Sequence, residues 1–379
     1  MKLYSYKNWF TKLSVLAVCS LGAAACTPSE SKPQYVAADA QICASADSLL
    51  QVLGRDCGVA TRFGHQDATV YGHTWWNEAH RSDVGEVSGY YPAVYGWELG
   101  HIELGDSCSL DSVRFEDIRH QMIAADARGG INTVSWHLDN PVNGHSSWDM
   151  TQGTVHAILN DSLVQAHYVQ DLQRLAHFFL QIRRPDGHFV PLLFRPFHEH
   201  SGSWFWWGKD FCSPKEYIAL WKFTQKKLHD LGVHHLLYIY SPDYVSSLDD
   251  YLERYPGDDC IDIWGLDYYH REGAEGTNKY MTNAKKMLQF IAQEAQQRHK
   301  LYVFSETGSE SLPINNWFTH VLAPVIQETH PAYVLVWRNA FDKPMHFFAP
   351  YPGHATADDF KTFCMRKDIL MGPKFNEKK

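Results

Sequence analysis

The chain has 379 residues, 45% of them hydrophobic and 14% aromatic, enough for one large core and long for a single β-sandwich. A formal net charge of −9 argues against nucleic acid as a partner, because a phosphate backbone asks for a basic face. The 13 Trp and 20 Tyr fit either core packing or flat platforms for sugar rings.

At the start of the chain Lys2, Lys7 and Lys12 precede an apolar, small-residue run from Leu13 to Ala25. That is the layout of a signal peptide, too short for a mature transmembrane helix. The run closes on Cys26, and LGAAAC resembles a bacterial lipobox with Ala23 where the pattern prefers Leu. On this reading residues 1–25 are removed and Cys26 is acylated. The protein is then expected as an outer-membrane lipoprotein on the periplasmic or cell-surface side, touching the membrane only through its anchor. Plain cleavage would instead give a soluble secreted protein. Residues 26–38, polar and Pro-containing, read as a tether, and 39–379 as one catalytic domain, expected to be a monomer.

Six cysteines follow Cys26: Cys43, Cys57, Cys108, Cys212, Cys260 and Cys364. An oxidising compartment favours disulfides, and the pair Cys43–Cys57 is favoured because it would fasten the N-terminal segment. No CxxC occurs, so a thiolate metal site is not expected.

Short apolar runs then recur at Ala68–His73, Ala93–Glu98, Ile131–His137, Val190–Arg195, His235–Tyr240, Ile261–Asp267, Leu301–Glu306 and Ala332–Trp337. Their unbroken apolar character suits strands buried on both faces, as in parallel sheets. Amphipathic helix patterns lie between them at Ser112–Arg128, Ser162–Arg183, Pro214–Leu231 and Asn278–Arg298, the third opening with a Ser213 cap and a first-turn proline. Eight strands alternating with helices predict an α/β protein, a (β/α)8 TIM barrel. A doubly wound sheet would show a Gly-rich phosphate turn after its first strand, and none is present. The segment Asp39–Arg62 is expected to pack on the barrel as a helical extension.

Barrel chemistry sits at the C-terminal ends of the strands. The predicted exits carry His73 and Trp75, Glu98, Trp136 and His137, His198 and Glu199, Asp267 and Tyr269, Glu306, and Trp337 with Arg338. Two carboxylates, ending strands four and seven, face each other among His, Arg and Trp. Glycoside hydrolysis needs one carboxylic acid to protonate the leaving oxygen and one carboxylate to attack or stabilise the anomeric carbon.

The stretches RPFHEHSGSWFWWG, WGLDYYH, VFSETG and VWRNA together resemble glycoside hydrolase family 26, dominated by β-mannanases, over most of the chain beyond the tether. The resemblance implies a (β/α)8 barrel, net retention, no cofactor, and β-mannan as polymer or oligosaccharide. It places the acid/base at Glu199, preceded by His198, and the nucleophile at Glu306. It further assigns substrate contacts to His137, Trp204, Tyr269 in preference to Tyr268, Trp337 and Arg338, with Trp148 as the candidate ring beyond strand three. Carboxylates so placed should stand about 5–5.5 Å apart and react through a covalent glycosyl-enzyme. Tyr269 and Arg338 are expected to favour the charged form of Glu306.

Several residues keep two readings. His198 and His200 could be metal ligands, or His198 could orient Glu199 or a sugar hydroxyl. Asp267 reads equally as a substrate contact or a support of the barrel mouth, and Arg338 could form a structural salt bridge. His73 and Trp75 are expected on the glycone side. Trp206 and Trp207 fit cleft or core. Alternative activities are an exo-acting mannobiohydrolase, a β-1,3-xylanase, a mixed-linkage glucanase, or a glycan-binding lipoprotein without catalysis.

Overall fold

The computed structural model describes Met1 and residues 35–375; the signal peptide, Cys26 and most of the tether lie outside the described residues. Eight parallel strands form the wall of a barrel: β1 Thr61–Gln66, β2 Val94–Glu98, β3 Ile131–Ser135, β4 Leu192–Arg195, β5 Leu236–Tyr240, β6 Ile263–Trp264, β7 in two pieces (Leu301–Tyr302 and Phe304–Thr307), and β8 Tyr333–Val336. The split in β7 closes the ring. Its first piece pairs with β6 and its second with β8, and Val303 N–H reaches the Trp264 carbonyl at 2.8 Å. β8 returns to β1 with Leu335 opposite Gly64.

Alternation along these strands divides the apolar side chains into two layers. Leu193, Leu237, Ile239, Ile263, Leu301, Val303 and Leu335 fill the interior, while Phe63, Trp97, Phe194 and Tyr238 point outward beneath the helices. The four predicted helices are present as Phe115–Ala127, Ser162–Leu180, Pro214–Asp230 and Thr277–Gln297. Ser213 caps the third in a reciprocal box with Glu216, and Pro214 opens it. The N-terminal helix Ala44–Asp56 sets Leu49, Leu50 and Leu53 against the barrel's interior residues. Among the described residues no helix is long and apolar enough to cross a membrane.

Two expectations are corrected here. The first strand is Thr61–Gln66, not Ala68–His73. Arg62, Gly64, His65 and Gln66 hide its strand character because they serve an ion pair, a close strand approach and the polar end of the barrel. The more β-prone residues that follow build a small antiparallel hairpin instead, Tyr71–Gly72 with Trp75–Trp76. The disulfide Cys43–Cys57 does not form, and all six described cysteines are free. The two flank a 13-residue helix, which holds them about 20 Å apart, far beyond the reach of a disulfide at about 7 Å.

Candidate active site

Glu306 leaves β7 where the register against β8 shifts between Phe304 and Thr307. Such a bulge re-aims a side chain, and here the two residues within it both turn inward. Ser305 bonds Asp267 at 2.6 Å, and Glu306 reaches the mouth. The Tyr269 hydroxyl donates to one Glu306 oxygen at 2.7 Å, and the Arg195 guanidinium donates to the other. Arg195, buried at the end of β4, also donates to Asp267 at 2.9 Å. Ser241 donates to the same Asp267 oxygen at 2.9 Å. Asp267 is therefore a fully buried support for the mouth and not a substrate contact.

Arg195 makes the ion pair with Glu306 that was expected of Arg338. Trp337 faces the cleft, so its neighbour Arg338 turns away, to Asp111 at 3.1 Å and toward the Tyr71 hydroxyl at 3.5 Å. Replacing Arg195 by Met leaves two buried carboxylates without their cation. The expected cost is about 3–5 kcal/mol, read as a lower midpoint in chemical denaturation.

Glu199 sits in a tight turn after β4. Both Phe197 and Glu199 adopt φ of 52°, a left-handed conformation that non-glycine residues rarely hold without support. The turn is pinned by Glu199 N–H to the Ser241 carbonyl at 2.8 Å, Tyr217 hydroxyl to the Phe197 carbonyl at 3.0 Å, and Trp207 indole N–H to the His198 carbonyl at 2.8 Å. Trp204 Nε1 donates to the Glu199 carboxyl at 2.7 Å. Burial, then the negative charges of Asp243, Glu306 and Asp267, push the Glu199 pKa well above the usual carboxylate range, with Trp204 only partly opposing them. This is the state of a proton donor. Because Asp243 contributes to that rise, Asp243→Asn should lower the Glu199 pKa and move the alkaline limb of the kcat/KM profile to lower pH.

A second polar chain lines the opposite wall. Glu98, at the end of β2, accepts from His137 Nδ1 at 2.7 Å, the His137 backbone at 2.8 Å and Ser135 at 2.6 Å. Burial works against its ionisation, yet His137 and these bonds hold the Glu98 carboxyl down at about 2. Burial likewise disfavours a charged His137, but Glu98 raises its pKa. His137 Nε2 lies 3.2 Å from His198 Nε2. Burial and the charge of His137 keep His198 neutral. Trp148, half exposed, stacks on His137 at 5.1 Å, and Phe205 packs edge-on beside it.

His137, Trp148, His198, Glu199, Trp204, Tyr269, Glu306 and Trp337 thus line one cleft of about 900 Å³. Outside it lie His73, which stacks on Tyr351 at 3.6 Å, and Trp75, which is buried on Asp83. Trp206 and Trp207 are core. His198 and His200 diverge, since the turn at Glu199 breaks the strand alternation and leaves His200 between Tyr217 and Tyr240. Sequence reasoning missed Arg195, Asp243, Phe205, Arg271 and Glu272. Only Arg195 carried a signal, as the charged residue that ends the apolar run VPLLF.

A (β/α)8 barrel with two carboxylates from β4 and β7 in one aromatic-walled cleft defines the class, that of the glycoside hydrolases. The chain belongs to glycosyl hydrolase family 26, whose sequence profile matches residues 38–310. Its fold is similar to a family 26 β-mannanase from Bacteroides ovatus, with a TM-score of 0.84 and 41% identity, covering 86% of this chain and 94% of that one. A double mutant of a Cellulomonas fimi endo-β-1,4-mannanase is 34% identical with a TM-score of 0.81, over 89% and 78% of the two chains. In sequence the chain is 32% identical to a mannan endo-1,4-β-mannosidase from Bifidobacterium adolescentis over 83% of its own length, and it spans 33% of that longer protein.

Proposed function

We propose that the protein is a retaining endo-β-1,4-mannanase acting on mannan, glucomannan or galactomannan. The observation that carries the reading is the asymmetry of the two cleft carboxylates. Glu306 has both oxygens fixed by Arg195 and Tyr269, while Glu199 is raised toward its protonated form beside Trp204. In the first step the Glu306 carboxylate attacks the anomeric carbon as Glu199 gives its proton to the departing sugar oxygen. In the second, Glu199 takes a proton from water, which displaces Glu306 and restores the original configuration. His198 and Trp337 would hold the sugar at the reacting centre, and Trp204 and Trp148 would offer stacking faces. The names of the relatives support mannan as the polymer and attack within the chain. Acylation at Cys26 would set this activity at the outer membrane.

The test is hydrolysis of a panel of β-mannan, β-1,3-xylan and mixed-linkage β-glucan, followed by proton NMR of the first anomer released. Cleavage of mannan with the β anomer appearing first is expected. Turnover confined to xylan or glucan, or an α anomer first, would overturn the assignment.

A further inference from the structure

Beside the catalytic cleft lies a second cavity of about 380 Å³, and Asp243, Tyr269, Arg271 and Glu272 wall both. The far side of this cavity is a braced set of rings. Tyr244, 47% exposed, tilts over Tyr268 at 5.9 Å, and Tyr268 stacks on buried Tyr280 at 5.7 Å and 8°. Asn283 donates to the Tyr268 hydroxyl at 3.1 Å, and the Tyr280 hydroxyl lies 2.6 Å from that of Thr307. Tyr268 and Tyr280 are thereby fixed, and Tyr244 leans on them with an exposed ring face that can serve as a platform. Lys279 and Glu272, paired at 3.1 Å across the rim, supply donors and acceptors.

Three features define what fits. The volume is at the small end for ligand pockets of about 300–1,000 Å³ and suits a single sugar ring. The platform asks for an apolar ring face and the rim for hydroxyls. A galactosyl ring meets both, because its axial 4-hydroxyl leaves the hydrogens of C3 to C6 together on one face. The mouth of the cavity also has a defined place along the bound chain. Asp243 stands on the shared wall, close enough for its charge to act on Glu199, and Glu199 serves the oxygen of the leaving sugar. A ring entering by the Asp243 end of the shared wall would hang from the leaving side of the cleaved bond.

We propose that this side cavity binds an α-linked galactosyl branch carried by the first sugar on the leaving side. The assignment rests on the mannanase reading above and names a part of its substrate. Tyr244→Ala removes the platform at an exposed position and leaves the catalytic groups in place. On galactosylated mannan, kcat/KM is expected to fall about tenfold, mainly through KM, while hydrolysis of unbranched mannan stays within about twofold of wild type. Wild-type digests should also contain oligosaccharides with galactose on the non-reducing terminal mannose, the sugar freed from the leaving side, and Tyr244→Ala digests should be depleted in them. Unchanged turnover of galactosylated mannan, or an equal loss on both polymers, would overturn the branch assignment. A wild-type protein inactive on every mannan would fail at the earlier step and overturn the mannanase reading with it.

Discussion

Glu306→Gly is expected to lower mannan hydrolysis by about 10⁴-fold or more, on the order of 5 kcal/mol of transition-state stabilisation. The size follows from the site. Glu306 is almost fully buried with each oxygen on a separate donor, so water entering the vacated space meets no comparable base or nucleophile. Azide should fill that space. With an aryl mannobioside of good leaving ability, sodium azide is expected to restore turnover and to give the α-mannobiosyl azide, inverted because attack comes from the face that Glu306 occupied. Circular dichroism of the variant guards against loss of fold, since Arg195 retains Asp267 as its partner. Rescue with a β-configured azide would remove Glu306 from the nucleophile's role.

The barrel was legible because its strands carry their own signal. Runs such as VPLLF, LLYIY and AYVLVW are apolar on both faces, as buried parallel strands must be. β1 was not, because its residues answer to tertiary demands. Gly64 has an added Cβ position only 3.0 Å from Val94 Cβ, and His65 is buried at the polar end of the barrel. At the site, the motif residues Glu199, Glu306, Trp204 and Tyr269 converge as expected. Arg195 stands against Glu306 where Arg338 was expected, for a reason that no spacing reveals: the inward face of β4 ends on Arg195, whereas Trp337 uses up the inward position on β8. The left-handed turn at Glu199 was equally hidden. It separates His198 from His200 and so ends the idea of a paired metal site there. Asp243 and Tyr244, on the loop after β5, matter through contacts with residues distant in sequence, which is information the fold supplies and the local pattern does not.

Glu199→Ala is expected to separate the two halves of the reaction. On unactivated mannan the departing sugar oxygen needs a proton, and loss of general acid catalysis should cost about 10²–10⁴-fold. On an aryl mannobioside whose leaving group needs no proton, the first half should run nearly unimpaired. The second half should then slow, because no carboxylate remains to activate water, and the glycosyl-enzyme on Glu306 should accumulate as a burst of aryl alcohol. Azide, which needs no base, should relieve the block and give the β-mannobiosyl azide, the configuration opposite to that from Glu306→Gly. The alkaline limb of the pH profile should vanish with the group that causes it, since burial and the charges of Asp243 and Glu306 are what raise the Glu199 pKa. The Trp204 indole N–H, left without its carboxyl partner, opens toward the cleft and can be satisfied by water, so the fold should persist. Equal losses on mannan and on the activated substrate, with no burst and no response to azide, would take Glu199 out of the acid/base role.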